Sequence, residues 1–244
     1  MFCAKYLLHS NTYSLPTIGP AAQALQERMM TLLRIDTSIR VEGSISRAIA
    51  DSVQVAWQAE HPAGEVVRRD LGQHPISVES WIAAVGAGQT PAEQRTPAQA
   101  EGAALAQALH DELLAADSVL IAAPLYNFGV PANLKTWIDL LLTSPDLGAG
   151  QEALKGRPAV LALSRGGGYG EGTPRAGWDH STPYLERILV DVFGLDVRTV
   201  AAELTLADVV PAMAELRPLA AQSLSEAHSA AGDHGKHLAQ VQAA

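Results

Sequence analysis

Five short stretches of the chain are built around apolar residues: Thr31 to Ile35, Glu65 to Leu71 (around Val66 and Val67), Ser118 to Ala123, Pro158 to Ser164 and Val197 to Glu203. Each reads as a strand, and continuous apolar runs of this length point to a parallel sheet covered on both faces. The second carries charged neighbours (Glu65, Arg68, Arg69), which suits a sheet edge. Between the runs the period changes to that of a helix. Ile45, Ile49, Val53 and Trp57 stand at i+4 spacing behind Ser44, a natural N-cap, and Pro62 ends the pattern. Pro97 to Ala116 places Ala104, Leu105, Ala108, Leu109 and Leu113 on one side; Trp137, Ile138, Leu141 and Leu142 do the same after Pro131. Helices are also predicted over Pro183 to Phe193 and Thr205 to Ala231. Trp81 and Ile82 fall in a short irregular connection, and Gly86 to Pro97 reads as a polar linker. Alternating strands and helices predict an α/β fold: a three-layer, doubly wound, five-stranded parallel sheet with helices on both faces.

The two ends of the chain differ from this pattern. Residues 1–29 show no sustained period and no continuous apolar segment before a small-residue cleavage site, so the expectation is a loosely ordered extension rather than a signal peptide. Residues 30–231 form one domain, and 232–244 are expected to fray. With 244 residues and 48% hydrophobic content the chain can bury a full core as one domain. A net charge of −9 with scattered Lys and Arg argues against a nucleic-acid partner. One cysteine, Cys3, excludes a disulfide framework and fits a reducing cytoplasm. No apolar run reaches the roughly 18 residues that span a bilayer, so no membrane insertion is expected.

Three loops, each at the carboxyl end of a predicted strand, carry the candidate chemistry. The first holds Ser38, Arg40, Ser44, Ile45 and Ser46 before a helix. Unpaired N–H groups, the helix dipole and clustered hydroxyls suit a phosphate. The loop is neither a Walker A sequence nor a GxGxxG turn, so a terminal monophosphate such as that of FMN fits better than a triphosphate or a dinucleotide. A simple capped helix explains one of these serines but not all three. The second loop, Leu125-Tyr126-Asn127-Phe128, offers two aromatics and an amide to a flat, hydrogen-bonding ring; an ordinary βα loop with aromatics tucked into the core fits the same residues. The third runs from Ser164 and Arg165 through Gly166 and Gly167 to Gly172, and so many glycines imply a tight bend or a close approach. His228, Asp233, His234 and His237 near the C-terminus match no standard zinc spacing, and no metal site is expected.

Together these residues resemble a family. The chain from about Met30 to Ala207 is similar to the FMN-dependent NADH-azoreductases, also described as NADH:quinone oxidoreductases, of flavodoxin-like fold. PLYNFGVP and LSRGGGYGEG carry the resemblance, with Ser38 and the Ser44-Ile45-Ser46 group in support. The resemblance implies that Ser38 and Ser44 to Ser46 hold the FMN phosphate, with Arg40 beside them. It also implies that Leu125 to Phe128 and Ser164 to Gly167 hold the isoalloxazine ring. It implies a homodimer and a ping-pong reaction in which NADH or NADPH reduces the flavin and a quinone or azo compound takes two electrons. Phe128 and Tyr169 would wall the pocket, and Tyr169 is the candidate for a catalytic role. Two segments depart from the pattern: Thr143 to Ala153 is short and lacks aromatics, and Tyr169 stands in a glycine run where some relatives carry histidine. A flavodoxin-type electron carrier is the alternative, although Arg40 and Arg165 at the site disfavour it. A hydrolase is disfavoured because no G-x-S-x-G turn is present.

Overall fold

The computed structural model describes residues 29–240; apart from Met29, the expected N-terminal extension lies outside the described residues. Strands β1 (Thr31–Asp36), β2 (Glu65–Asp70), β3 (Ser118–Pro124), β4 (Pro158–Ser164) and β5 (Asp196–Ala202) form one parallel sheet in the order β2-β1-β3-β4-β5. The charged strand β2 lies at the edge, as its sequence predicts. From β1 the chain passes outward to β2 and then back across to β3. The sheet therefore reverses its winding between β1 and β3, and the reversal opens a crevice at their carboxyl ends.

The period-2 alternation of each strand divides the core into two layers. Leu33, Ile35, Val119, Ile121, Leu161 and Leu163 face one side. They are covered by α2 (Val78–Ala87), α3 (Pro97–Ala115), α4 (Ala132–Leu141) and α5 (Thr182–Glu186, continued by a π-helical turn over Arg187–Val192). Leu32, Leu120, Ala122, Val160 and Ala162 face the other. There they meet α1 (Ile45–Glu60) and α6 (Arg217–Gln240), with Ile49, Val53 and Trp57 fully buried along the predicted stripe of α1. Each such side chain contributes roughly 1.5–3 kcal/mol on burial.

Three local expectations are corrected. Trp81 and Ile82 lie in the regular helix α2, opened by the Ser77 hydroxyl, which accepts from the Ser80 N–H at 3.0 Å. The buried face of α2 is made of alanines, Ala84 and Ala87, so its period is faint in the sequence. Gly102 of α3 is equally small, and a Cβ there would stand 2.5 Å from the Ala84 nitrogen. Thr205 begins a turn rather than a helix; a 3-10 segment over Pro211–Leu216 precedes α6. Residues 232–240 are not frayed but continue α6, with Gly235 and Leu238 buried against α1. Small residues make that contact, which is why hydrophobicity alone understates it. A Cβ on Gly235 would collide with the Val53 carbonyl oxygen and come within 2.7 Å of Ala56 Cβ. Gly235→Ala is therefore expected to destabilise the fold by about 1–3 kcal/mol, read as a lowered urea midpoint; an unchanged midpoint would mean the α6 end is not packed.

Candidate functional site

The carboxyl ends of β1, β3, β4 and β5 converge on an open cleft of about 390 Å³. Of the residues singled out from sequence, Ser38, Arg40, Ser44, Ile45, Leu125, Tyr126, Ser164 and Gly166 line it. The three loops thus share one crevice. Ser44 is the N-cap of α1 but makes no side-chain capping bond, and the first turn contains no acidic residue. The first-turn N–H donors and the positive end of the dipole are therefore left to an incoming anion, with two serine hydroxyls and Arg40 beside them.

A buried ionic network holds this first loop in place. The Arg47 guanidinium donates to both Asp70 oxygens (2.6 and 2.7 Å), to the Ser38 carbonyl (2.8 Å) and, through Nε, to the Arg40 carbonyl (3.2 Å). The hydrogen bonds it donates to Asp70 hold the Arg47 pKa above its ordinary value despite burial. Burial would raise the Asp70 pKa, but hydrogen bonds from Arg47 and the Gln73 N–H outweigh it and the carboxyl titrates below its ordinary range. Asp36, wholly inaccessible, accepts from Arg34 and from Arg68 (2.6 Å). Asn133 of α4 donates to the Thr37 and Leu71 carbonyls (3.0 and 2.9 Å), tying the loops after β1 and β2 together. No room remains between them: a Cβ on Gly72 would strike the Ser38 carbonyl oxygen.

The other loops are locked by different means. Tyr126 and Gly129 pair as a two-residue hairpin, with Asn127 (φ 48°) and Phe128 (φ 69°) both left-handed at its tip. Asparagine tolerates that conformation and phenylalanine resists it, so surrounding contacts must hold Phe128 there. The His180 N–H donates to its carbonyl at 3.0 Å, and its ring meets Trp178 and Tyr169 edge-on at 5.3 and 6.3 Å. The Tyr126 hydroxyl accepts from the Ile39 N–H (3.2 Å) and so links the first loop to the second. Gly166 abuts the loop after β5, where a Cβ would stand 2.7 Å from Leu206 Cδ1.

Several predicted site residues lie elsewhere than their sequence position implied. Ser46 is wholly buried behind Ser44, its hydroxyl 3.4 Å from the Ser44 oxygen. Arg165 is not among the lining residues and pairs with Asp179 and Glu203, both at 2.9 Å. Asn127, Phe128, Gly167 and Tyr169 are not among the lining residues; Tyr169 instead donates its N–H to Glu203 and packs on Phe128. Conversely, Ile39, Gly43, Pro124, Thr205 and Leu206 line the cleft without having been singled out. Thr205 and Leu206 lie in the loop that follows β5, three and four residues past its last residue, so a fifth strand tip was the available signal.

Residues 30–227 match a family model described as flavodoxin-like fold. An FMN-dependent NADH:quinone oxidoreductase of Frankia alni is 40% identical over 205 residues, covering 83% of this chain and 97% of that protein. One of Streptomyces avermitilis is 40% identical over 213 residues, covering 86% and 98%. Among solved structures, an azoreductase of Bacillus anthracis superposes with a TM-score of 0.70 at 24% identity, covering 86% of this chain and all of that one. An FMN-dependent NADH-azoreductase of the same species, solved in complex with FMN, superposes with a TM-score of 0.68 at 18% identity, covering 86% and 100%. By its family match and by these relatives, the chain belongs to the flavodoxin-like family that includes the FMN-dependent NADH:quinone oxidoreductases.

Proposed function

We propose that this chain is an FMN-dependent oxidoreductase that passes two electrons from NADH or NADPH to quinones or aromatic azo compounds. The observation that carries the reading is the single cleft into which the uncapped start of α1, Ser38, Leu125, Tyr126 and Gly166 all open. The residues fit the group: the α1 start, whose first turn holds no carboxylate, lies at one border, and Gly166 and Leu206, packed on each other, line the same open cleft as Leu125 and Tyr126.

Ser38, Ser44 and the α1 N–H groups would hold the phosphate, with Arg40 adding charge. Leu125, Tyr126 and Gly166 would position the ring, and N–H groups of the second and third loops would stabilise negative charge on its pyrimidine edge. When bound, FMN would supply two-electron redox chemistry between the reduced nicotinamide and the acceptor. The protein's share is to orient the ring, exclude water from one side of it and leave the other open to substrates. The homodimer reading gains support from α2, whose Val78, Trp81, Ile82 and Val85 form an exposed apolar stripe at helical spacing. The single cysteine supports a cytoplasmic setting, and among the described residues no helix is long and apolar enough to cross a membrane.

The purified protein is expected to be yellow, to bleach on adding NADH or NADPH without oxygen, and to regain colour on adding a benzoquinone. FMN binding without NAD(P)H consumption would identify the electron carrier instead. Failure to bind FMN at all would remove both.

A further inference from the structure

The segment between β4 and α5 continues past the glycines as Thr173-Pro174-Arg175-Ala176-Gly177-Trp178 and passes beside Phe128. The Arg175 guanidinium carbon lies 5.7 Å from the centre of the Phe128 ring. On another side it approaches Gly167, where an added Cβ would be 3.1 Å from Nη1. Gly167 follows Gly166, and Phe128 lies two residues beyond Tyr126; both Gly166 and Tyr126 line the cleft. The cluster is therefore joined to the cleft through its second and third loops, by way of Tyr126 and Gly166.

Two arginines of this region are used in opposite ways. Arg165 is consumed by Asp179 and Glu203, which are also engaged by backbone N–H groups. Arg175 has no acidic partner among the described residues, and its guanidinium lies over the face of a ring. A guanidinium on an aromatic face keeps its in-plane N–H fork available for a planar anion. Phe128 beneath it is held at φ 69°, a conformation retained against its own preference. Trp178, 52% exposed, presents a second ring at the same place.

We propose that Arg175, with the rings of Phe128 and Trp178, forms a subsite for a planar aromatic substrate bearing an anionic group. The rings take the plane and the guanidinium takes the charge. As a substrate subsite it rests on the oxidoreductase reading above. A ring with a nearby negative charge describes a sulfonated or carboxylated acceptor, and equally a nicotinamide ring with its pyrophosphate.

The test compares the FMN-loaded wild type with Arg175→Gln. Calorimetric binding of naphthalene-2-sulfonate, which is redox-inert, is expected to weaken about tenfold in the variant, the range of one charge-assisted bond. Binding of the neutral naphthalene-2-sulfonamide is expected to change less than about twofold, because stacking remains. In steady-state assays, an acceptor subsite raises the KM for 1,4-naphthoquinone-2-sulfonate about tenfold more than that for 1,4-naphthoquinone. A nucleotide subsite raises the KM for NADH instead. Equal effects on the sulfonate and the sulfonamide, or no sulfonate binding by the wild type, would overturn the subsite. The calorimetric comparison needs no turnover. Absence of NADH:quinone activity in the wild type would therefore remove the oxidoreductase reading while the anion comparison still decides the role of Arg175.

Discussion

Ser44→Asp is expected to lower FMN affinity by at least about two orders of magnitude while leaving the fold intact or slightly more stable. The two effects have opposite signs because they act on the same dipole. Ser44 is the N-cap of α1, makes no capping bond, and lines the cleft with only 7% of its surface exposed. Aspartate is among the best N-caps and places a negative charge at the positive end of the helix, worth about 0.3–1 kcal/mol. A phosphate held by the same donors would meet that carboxylate at contact distance. At an effective dielectric constant near 20, two unit charges about 5 Å apart repel by about 3 kcal/mol, which is two decades in affinity. Titration of the apoprotein with FMN, alongside a thermal melt, reads both quantities. A melt that stays level or rises while FMN binding collapses supports the phosphate assignment; unchanged FMN affinity would remove it.

The same charge at Ser46 would not make this distinction. The sequence presents three equivalent hydroxyls around the start of a helix, and a pattern of residue types cannot say which of them faces outward. Packing separates them: Ser46 is wholly inaccessible, so an aspartate there would bury an unpaired charge and unfold the loop for reasons unrelated to any ligand.

What the sequence conveyed best was whatever depended on strand burial. The five apolar runs became the five strands, the charged one took the edge, and the loops after β1, β3 and β4 meet in one cleft because carboxyl ends of parallel strands all point the same way. What it hid depended on small residues and on charges paired across the fold. The alanine face of α2, and Gly235 against α1, gain their contacts from close helix approach rather than from large side chains. Arg165 looks from its position like a ligand group, yet its partners Asp179 and Glu203 come from distant segments. Arg47, inside the helix that follows the serines, gave no signal as the strut of the first loop. Its function follows from Asp70 and Gly72, both supplied by the neighbouring edge strand and its exit.

That strut makes the largest stability prediction. Arg47→Ala is expected to cost about 3–5 kcal/mol at neutral pH, the range for breaking one partner out of a buried ionic network. The guanidinium is nearly inaccessible and satisfies Asp70 and two loop carbonyls at once. Its removal strands Asp70 and frees the Ser38–Arg40 loop, so FMN retention should fall with stability. The pH dependence distinguishes this from simple loss of packing. In the wild type the Asp70 pKa is depressed below its ordinary 3.8, so its contribution is complete above that value and is lost only as the pH falls through the lower folded pKa. Without Arg47, burial, the largest influence on this carboxyl, is opposed only by the Gly72 and Gln73 N–H groups and the Arg68 charge, and the carboxyl is expected to rise above its ordinary value. A raised acid pKa makes the folded state more favourable below the ordinary value and penalises it as the pH rises. The gap in unfolding free energy between wild type and variant should therefore narrow as the pH is lowered from 7 toward 4, as measured by urea denaturation. A gap that stays constant over that range would assign the loss to packing and leave the ionic network without its proposed part in shaping the cleft.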